Sequence, residues 1–272
     1  MIRIVWEIHY KCNYRCPYCW FENDFNSRYL KIKDISIKEW IKRWSYVYDR
    51  YGAAHIEITG GEPFIYNDFV YLLKEISRFH TVRVTTNLSV DIHKVIPEIN
   101  PERVKIISSF HPTFAKLDIF LKKVLALKES RHGDTVIYVA YPPQFNLIDS
   151  YRKRFEDNGI VFSVTPFCGI YKGLNYPGAY SDHEKEILAI CIGEDRDRVR
   201  YTLNSETPRG KLCRAGQQSA LLFEDGKIAR CGPLKTKPFA NLFDKDFKFL
   251  EELQLCESDF CPCDDRKSLL ES

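Results

Sequence analysis

The chain has 272 residues, enough for one large domain or for a medium domain with a small appendage. Its 44% hydrophobic and 28% charged residues suit a globular protein with a substantial core. The net charge of +3 comes from dispersed charges without a basic run, which argues against nucleic acid as a partner. There is neither an apolar stretch of about 18 residues nor a signal peptide, so we expect a cytoplasmic protein that does not enter a membrane.

Strand-like and helix-like patterns alternate up to residue 165, which favours a parallel sheet with helical crossovers. The predicted strands are 2–8, 54–58, 81–86, 103–109, 135–141 and 160–165. The predicted helices are 36–51, 67–78, 90–97, 115–129 and 146–157. Six strand steps fall short of the eight of a closed barrel. Periodicity alone allows a partial barrel or a doubly wound sheet. We predict an α/β fold that is a partial (β/α)6 TIM-like barrel with a small C-terminal cysteine-rich hairpin domain.

The alternation stops after residue 165. We divide the chain into a core at 1–165, a connector at 166–212 with a helix-like stretch at 182–192, and a small cysteine-rich domain at 213–272. In this last part, Leu221-Leu222-Phe223 and Lys227-Ile228-Ala229-Arg230 flank Asp225-Gly226, a dipeptide typical of a tight hairpin turn.

The ten cysteines are many for a cytosolic chain. Disulfides are disfavoured there, so clustered cysteines indicate metal binding or redox chemistry. Cys12, Cys16 and Cys19 directly follow the first predicted strand, at the sheet edge where such folds build their sites. Structural zinc would need a fourth ligand, such as His9 or a distant cysteine. A four-iron cluster on three thiolates would instead leave one iron open.

The spacing Cys-x3-Cys-x2-Cys, with Tyr18 just before the last cysteine, resembles the signature loop of the radical S-adenosylmethionine (SAM) superfamily. The resemblance implies that Cys12, Cys16 and Cys19 hold a [4Fe-4S] cluster. It also implies that the methionyl amine and carboxylate of SAM chelate the fourth iron, and that Tyr18 packs near the adenine.

The second predicted strand ends in Thr59-Gly60-Gly61-Glu62-Pro63. By itself this is a common Gly-Gly turn closed by proline. At the end of the strand that follows the cysteine loop, it resembles the Gly-Gly-Glu-Pro motif of the superfamily. The resemblance implies that this run binds the methionyl amine of SAM and that the Glu62 carboxylate can pair with it. The implied cofactor-binding residues are Thr59, Gly60, Gly61, Glu62 and Pro63.

The next two strand ends carry small polar side chains. Thr86, Asn87 and Ser108 are candidates for binding the ribose hydroxyls and the carboxylate of SAM, as the superfamily uses similar positions. The same residue types also favour helix capping. His111 lies just past the fourth strand and is a candidate catalytic residue, although a lone histidine is more often structural.

The second cysteine group contains Cys213, Cys231, Cys256, Cys261 and Cys263. From chemistry alone, zinc and an iron–sulfur cluster are about equally good interpretations. Cys-x-Ala-Gly at 213–216, the hairpin and its closing cysteine resemble the twitch module, a short relative of SPASM. That resemblance implies one auxiliary [4Fe-4S] cluster. The tail Cys-x4-Cys-x-Cys departs from a Cys-x2-Cys ending, which leaves the fourth ligand open.

The resemblance implies a radical SAM oxidoreductase or transformase. Such an enzyme cleaves SAM reductively to a 5′-deoxyadenosyl radical, which abstracts hydrogen from a substrate carbon. A reductase, flavodoxin or ferredoxin would donate the electron. We expect net oxidation or bond formation on a small metabolite, with the auxiliary cluster as electron acceptor. Two alternatives stay open: a maturase that cross-links or epimerises a peptide, and a zinc-binding interaction module without catalysis.

Overall fold

The structure is a computed structural model that describes residues 1–21, 35–193, 195, 198–204, 206–261 and 270. Six parallel strands pair in chain order to form most of its main sheet. They are β1 (Ile2–His9), β2 (Ala54–Gly60), β3 (Thr81–Thr86), β4 (Val104–Phe110), β5 (Thr135–Ala140) and β6 (Val161–Pro166). All six predicted strands are confirmed, and their ends differ from the prediction by at most two residues.

Five helices follow the first five strands. They are α1 (Ile37–Tyr51), α2 (Phe69–Ile76), α3 (Ile92–Val95), α4 (Leu117–Glu129) and α5 (Ile148–Glu156). In α1 the Ser36 side chain accepts a hydrogen bond from the Glu39 amide, and Gly52 ends the helix with φ +75°. Among the described residues, none of the helices combines the length and apolar character needed to cross a membrane.

The strand order separates the two architectures that periodicity allows. A doubly wound sheet reverses its strand order at a switch point, whereas β1 to β6 run in unbroken sequence. Right-handed crossovers that all step in one direction place the helices on one face of the sheet. The observed order is therefore that of a partial (β/α)6 barrel, open between its edge strands rather than closed.

The helix-covered face of the sheet is filled by large aromatic side chains. Trp6 of β1 packs against Trp40 and Trp44 of α1, with ring centroids 4.6 and 5.3 Å apart. Phe110 of β4 packs against Phe120 of α4 in the same way, at 4.9 Å. Side chains of the alternate strand positions point to the other face, so polar residues at the strand ends can gather there.

The connector contains two short strands and a helix. The strands β7 (Gly169–Tyr171) and β8 (Leu174–Tyr176) form an antiparallel pair. The helix α6 (Asp182–Ile192) begins with a capping box in which Ser181 and Glu184 satisfy each other's backbone amides. The helix predicted at 182–192 is thereby confirmed.

The described C-terminal strands are β9 (Leu212–Cys213), β10 (Ser219–Leu222), β11 (Lys227–Ala229), β12 (Ala240–Asn241) and β13 (Gln254–Leu255). β10, β11 and β12 extend the main sheet, whereas β9 and β13 form a separate two-stranded sheet. β10 pairs parallel with β1, and β11 pairs antiparallel with β10 around Asp225-Gly226, which confirms the predicted hairpin. Phe243 also packs on Trp40, with ring centroids 5.1 Å apart. The hairpin thus shares the sheet and core of the barrel, and the division at 1–165, 166–212 and 213–272 stays a prediction.

Candidate functional site

A cavity of about 230 Å³ lies at the carboxyl ends of the parallel strands. Its lining comes from the cysteine loop after β1 and from the ends of β2 to β6. The predicted site residues in this lining are Cys12, Cys16, Tyr18, Cys19, Thr59, Gly60, Gly61, Thr86, Asn87 and His111. The fold therefore brings together residues that are far apart in the chain, such as Cys12 and His111.

The three N-terminal thiols differ in exposure. Cys16 is buried, Cys12 is half-buried and Cys19 is exposed. The Tyr14 amide donates to Cys12 Sγ at 3.3 Å, and the Cys19 amide donates to the Cys16 carbonyl at 3.0 Å. Burial raises the pKa of the Cys12 thiol, and the hydrogen bond from Tyr14 opposes this shift. Within the described residues, no three His, Cys, Asp or Glu side chains converge closely enough to hold a single metal ion.

The Gly-Gly turn after β2 is bonded to the backbone of the cysteine loop. The Gly61 amide donates to the His9 carbonyl at 2.7 Å, and the Glu62 amide donates to the Lys11 carbonyl at 2.8 Å. A Cβ atom at Gly60 would lie 2.2 Å from the His9 oxygen, and one at Gly61 would lie 1.9 Å from the Lys11 oxygen. Only glycine allows this close approach, so the two glycines fix the position of the loop.

Glu62 is fully buried, at 0% exposure. Its carboxylate accepts hydrogen bonds from the Thr86 hydroxyl at 2.7 Å, the Asn87 amide at 2.7 Å and the Phe64 amide at 3.0 Å. Burial raises the pKa of this carboxyl, and the three hydrogen bonds oppose the shift. In the described lining of the cavity, Gly60 and Gly61 represent this motif, and Glu62 and Pro63 lie behind them. The Glu62 carboxylate thus joins the turn to the end of β3, and its contact with the methionyl amine of SAM stays a prediction.

At β4 the structure places the neighbour of a predicted residue in the cavity. Ser108 shares a strand face with Phe110, which packs against the helices, and it is 1% exposed. Ser109 points the other way and lines the cavity. Among the described lining residues, β4 therefore contributes Ser109 where the sequence predicted Ser108.

His111 connects β4 to the cysteine loop. Its Nε2 is hydrogen-bonded to the Ser109 hydroxyl at 3.0 Å, and its Nδ1 to the Tyr18 hydroxyl at 3.1 Å. The Tyr18 and His111 rings also stack, with centroids 5.7 Å apart. Burial lowers the pKa of His111 to about 4, so the imidazole is neutral at physiological pH. The neutral His111 side chain therefore links Ser109 to Tyr18 and orients the Tyr18 ring.

Sequence reasoning missed part of the lining. The additional lining residues are Tyr14, Trp20, Phe21, Thr85, Ser109, Val139, Thr165, Pro166, Phe167 and Cys168. Cys168 is the most reactive of these residue types, and burial raises the pKa of its thiol to about 12. Its place directly after a predicted strand is the signal that would have found it, because the other motifs occupy the same kind of position.

The C-terminal cysteines form a buried group outside this cavity. Cys213 and Cys231 pack with Ala215 and Leu234 in a small apolar cluster. The remaining described members, Cys256 and Cys261, are also buried, whereas Cys263 lies outside the described residues. The strand containing Cys213 pairs with β13, and the Cys256 amide donates to the Lys211 carbonyl at 2.8 Å.

The sequence comparisons match part of the chain to known proteins. Residues 6–120 match the sequence model of the radical SAM superfamily. The chain is 34% identical over 88 residues to a GTP 3′,8-cyclase of Haemophilus ducreyi, which covers 30% of this chain and 25% of that protein. It is 32% identical over 77 residues to a probable GTP 3′,8-cyclase of Methanocella arvoryzae, covering 28% and 24%. The chain spans about a quarter of the length of these curated relatives.

Solved structures match a larger part of the chain. The structure described as "Native anSMEcpe with bound AdoMet" has a TM-score of 0.63 and 14% identity, and the match covers 89% of this chain and 78% of that one. A second structure, "Native anSMEcpe with bound AdoMet and Kp18Cys peptide", has a TM-score of 0.63 and 13% identity, with 89% and 77% covered. At this identity the likeness shows a shared fold.

Proposed function

We propose that this chain, which is an enzyme of the radical SAM superfamily by its residues 6–120, cleaves SAM reductively in the cavity at the carboxyl ends of its strands. The observation that carries the proposal is the meeting of three thiols and a Gly-Gly turn around that one cavity. A reduced four-iron cluster would supply one electron to the sulfonium of SAM, giving methionine and a 5′-deoxyadenosyl radical that takes hydrogen from a substrate carbon.

The donor set suits the cluster. Cys12, Cys16 and Cys19 line the same cavity without converging on a single point. A tetrahedral zinc site would need four ligands with Zn–S bonds of about 2.3 Å. A four-iron cluster is wider than one ion, so thiols spread around a cavity fit it better. Three thiolates would leave one iron open for SAM.

The cavity also offers groups suited to SAM itself. The cavity-lining turn Gly60-Gly61 presents backbone atoms without side chains in the way. Asn87 lines the same space, and its side-chain amide donates to Asn13 at 3.0 Å. We assign the methionyl contacts to this turn, with Glu62 as the positioning residue behind it. Tyr18, held by His111, would pack near the adenine.

Aromatic residues would shield the radical from water. The cavity-lining aromatic side chains include Tyr14, Trp20, Phe21 and Phe167. Tyr14 also stacks on Phe114 at a centroid distance of 4.8 Å and an interplanar angle of 15°. Excluding water and stray hydrogen donors prevents side reactions of a reactive intermediate.

Anaerobic reconstitution tests the proposal. We expect the purified chain to bind iron and, with SAM and dithionite, to form 5′-deoxyadenosine detectable by mass spectrometry. The Cys16→Ala variant should form none. Cys191→Ala is the matched control, since Cys191 is half-buried on α6, outside both cysteine groups. Iron-loaded wild-type protein that forms no 5′-deoxyadenosine would refute the proposal.

We further propose that the C-terminal cysteines hold one auxiliary [4Fe-4S] cluster that accepts an electron from the substrate radical. The donor chemistry fits: Cys213, Cys231, Cys256 and Cys261 are all buried, and Cys213 and Cys231 pack in one apolar cluster. Thiols removed from water can be deprotonated on binding to iron, and the surrounding protein then sets the potential. The net outcome would be oxidation or bond formation on a small metabolite, by a radical SAM oxidoreductase or transformase.

Two substrate classes remain in competition. The nucleotide class is favoured by the GTP 3′,8-cyclases that the chain resembles, and the peptide class by the peptide-bound structure that shares its fold. Stimulation of 5′-deoxyadenosine formation separates them. Faster SAM cleavage with nucleoside triphosphates would support the small-metabolite proposal, whereas stimulation only by cysteine-containing peptides would support the maturase alternative.

A further inference from the structure

Three separate chain segments carry the buried C-terminal thiols. Cys213 ends β9, Cys231 follows β11, and Cys256 follows β13. Only β9 and β13 pair directly, at Gln254 opposite Cys213. The segment with Cys231 belongs to the main sheet through β11, so another interaction must join it to the β9–β13 ribbon.

The Arg230 side chain contributes to that connection, beside the packing of Cys213 with Cys231 and the ion pair from Lys237 to Glu257. Arg230 precedes Cys231, and its Nε donates to the Ala215 carbonyl at 3.1 Å. Its Nη1 donates to the Leu255 carbonyl at 3.1 Å, and its Nη2 donates to the Gln254 carbonyl at 3.4 Å. The guanidinium therefore reaches a residue two positions after Cys213 and the residue just before Cys256.

Ala215 extends the connection to a sulfur atom. Its amide donates to Cys213 Sγ at 3.4 Å, while its carbonyl accepts from Arg230. The stem of Arg230 also lies near Gly216, where an added Cβ atom would be 2.6 Å from Leu250 Cδ1 and 3.0 Å from Arg230 Cγ. Both Ala215 and Gly216 are thus in contact with this side chain.

The charge of Arg230 is poorly balanced. The side chain is only 10% exposed, and its carboxylate partner within the described residues is Glu257 at 3.6 Å. Glu257 is half-exposed and bonds more closely to Lys237, at 2.7 Å. Burying a cation without a close anion costs free energy. A group of iron-bound thiolates beside Arg230 would supply the missing negative charge.

We infer that Arg230 is the positioning residue of the auxiliary cluster: it holds the three thiol-bearing segments together and places a positive charge beside the thiolates. The inference rests on the proposed auxiliary cluster. It has two measurable consequences. The three guanidinium N–H donors of Arg230 fix the positions of the thiol-bearing segments, so they should determine how tightly the site retains iron. The charge favours the more negative, reduced cluster, so it raises the reduction potential.

The experiment uses the full chain with Cys12, Cys16 and Cys19 replaced by alanine, so that all cluster iron reports the C-terminal site. In this parent we add Arg230→Met, which removes the charge and all donors, or Arg230→Lys, which keeps the charge but loses the planar fork. Arg214→Met is the matched control, because Arg214 adjoins Cys213 but is exposed. The readouts are iron retention against a chelator and the potential from a redox titration followed by electron paramagnetic resonance.

We expect Arg230→Met to weaken iron retention by about 10-fold or more, as for loss of a supporting partner of a metal ligand. Its remaining cluster should have a more negative potential. Arg230→Lys should weaken retention while nearly keeping the potential, and Arg214→Met should change neither. Parent-like retention and potential in Arg230→Met would overturn the inference, as would an equal change in Arg214→Met.

A wrong role for Arg230 and an absent auxiliary cluster give different results. If the parent binds no iron, the proposed auxiliary cluster is wrong and the charge role of Arg230 falls with it. The organising role can still be measured in the metal-free chain by hydrogen exchange at the Cys256 amide, which donates to the Lys211 carbonyl. Faster exchange in Arg230→Met than in Arg214→Met would support it, and equal exchange would overturn it.

Discussion

The two cysteine groups of this chain differ in how much room surrounds them. The N-terminal thiols line a cavity of about 230 Å³, and one of them, Cys19, is exposed. The described C-terminal thiols are between 6% and 9% exposed. A site that binds and transforms a ligand needs an open coordination position, whereas a site that only transfers electrons does not. The difference in room supports the proposals that the first group does chemistry on a ligand and that the second transfers electrons.

Replacing cysteines should change activity more than any other substitution considered, and differently in the two groups. Losing a supporting partner of a metal ligand costs about 10- to 100-fold in activity. Losing a ligand should cost more, so Cys16→Ala should lower 5′-deoxyadenosine formation by more than about 100-fold. The double variant Cys213→Ala, Cys231→Ala should keep SAM cleavage and lose the oxidised product. Both quantities are measured in one assay by mass spectrometry, and unchanged product in the double variant would remove the electron-acceptor role.

A glycine variant should damage only the N-terminal site. In Gly61→Ala, the new Cβ atom would lie 1.9 Å from the Lys11 oxygen, so the cysteine loop has to move. We expect iron content to fall to that of the C-terminal site and the free energy of unfolding to drop by roughly 2–4 kcal/mol. Urea titration and iron analysis measure these effects.

The control for this variant is Gly178→Ala. At Gly178 the nearest atom to an added Cβ is 3.6 Å away, an ordinary contact. Both iron and stability should therefore stay near the wild-type values. Full iron content in Gly61→Ala would show that the close approach of turn and loop does not position the thiols.

His111, which contacts the N-terminal cysteine loop through Tyr18, should make the free energy of unfolding depend on pH. Burial lowers the pKa of this imidazole from 6.5 to about 4 in the folded chain. Below pH 6.5 the unfolded chain therefore binds more protons at this position than the folded chain, and stability falls as the pH decreases toward 4. We expect the free energy of unfolding of His111→Gln to decrease by roughly 1–3 kcal/mol less than that of the wild type over this pH range.

Urea unfolding of the metal-free protein at pH 7 and pH 5 measures that difference. Other buried histidines, such as His80, titrate in both proteins, so only the difference between wild type and variant is informative. An identical pH dependence in wild type and His111→Gln would show that His111 is not buried as a neutral bridge.

The fold was predictable because its strands and helices have strong periodic patterns and clear ends. Ser36 and Gly52 bound the first helix as predicted, and the Asp225-Gly226 turn forms the expected hairpin. The predicted partial barrel is confirmed, but periodicity alone could not separate it from a doubly wound sheet, because both have the same alternating pattern. Strand order depends on packing between distant segments, which periodicity does not encode.

The site was predictable at the level of motifs and less so at the level of side-chain direction. Glu62 looked available to a ligand, but its carboxylate is held by Thr86, Asn87 and Phe64. Three-dimensional proximity decides this, because Glu62 and Thr86 are 24 positions apart in sequence. At β4, two adjacent serines made the sequence pattern ambiguous, since either one could face the cavity.

This ambiguity leads to the smallest predicted effect. Ser109 is hydrogen-bonded to His111 Nε2 at 3.0 Å, and His111 in turn holds Tyr18. One such hydrogen bond contributes about 1 kcal/mol, so Ser109→Ala should raise the KM for SAM by roughly 5-fold and change kcat less. Ser108→Ala should leave the KM for SAM unchanged, because Ser108 shares the helix-facing side with Phe110. The opposite ranking of the two variants would mean that β4 presents Ser108 to the cofactor, and the bridge from β4 to the cysteine loop would then have no role in binding SAM.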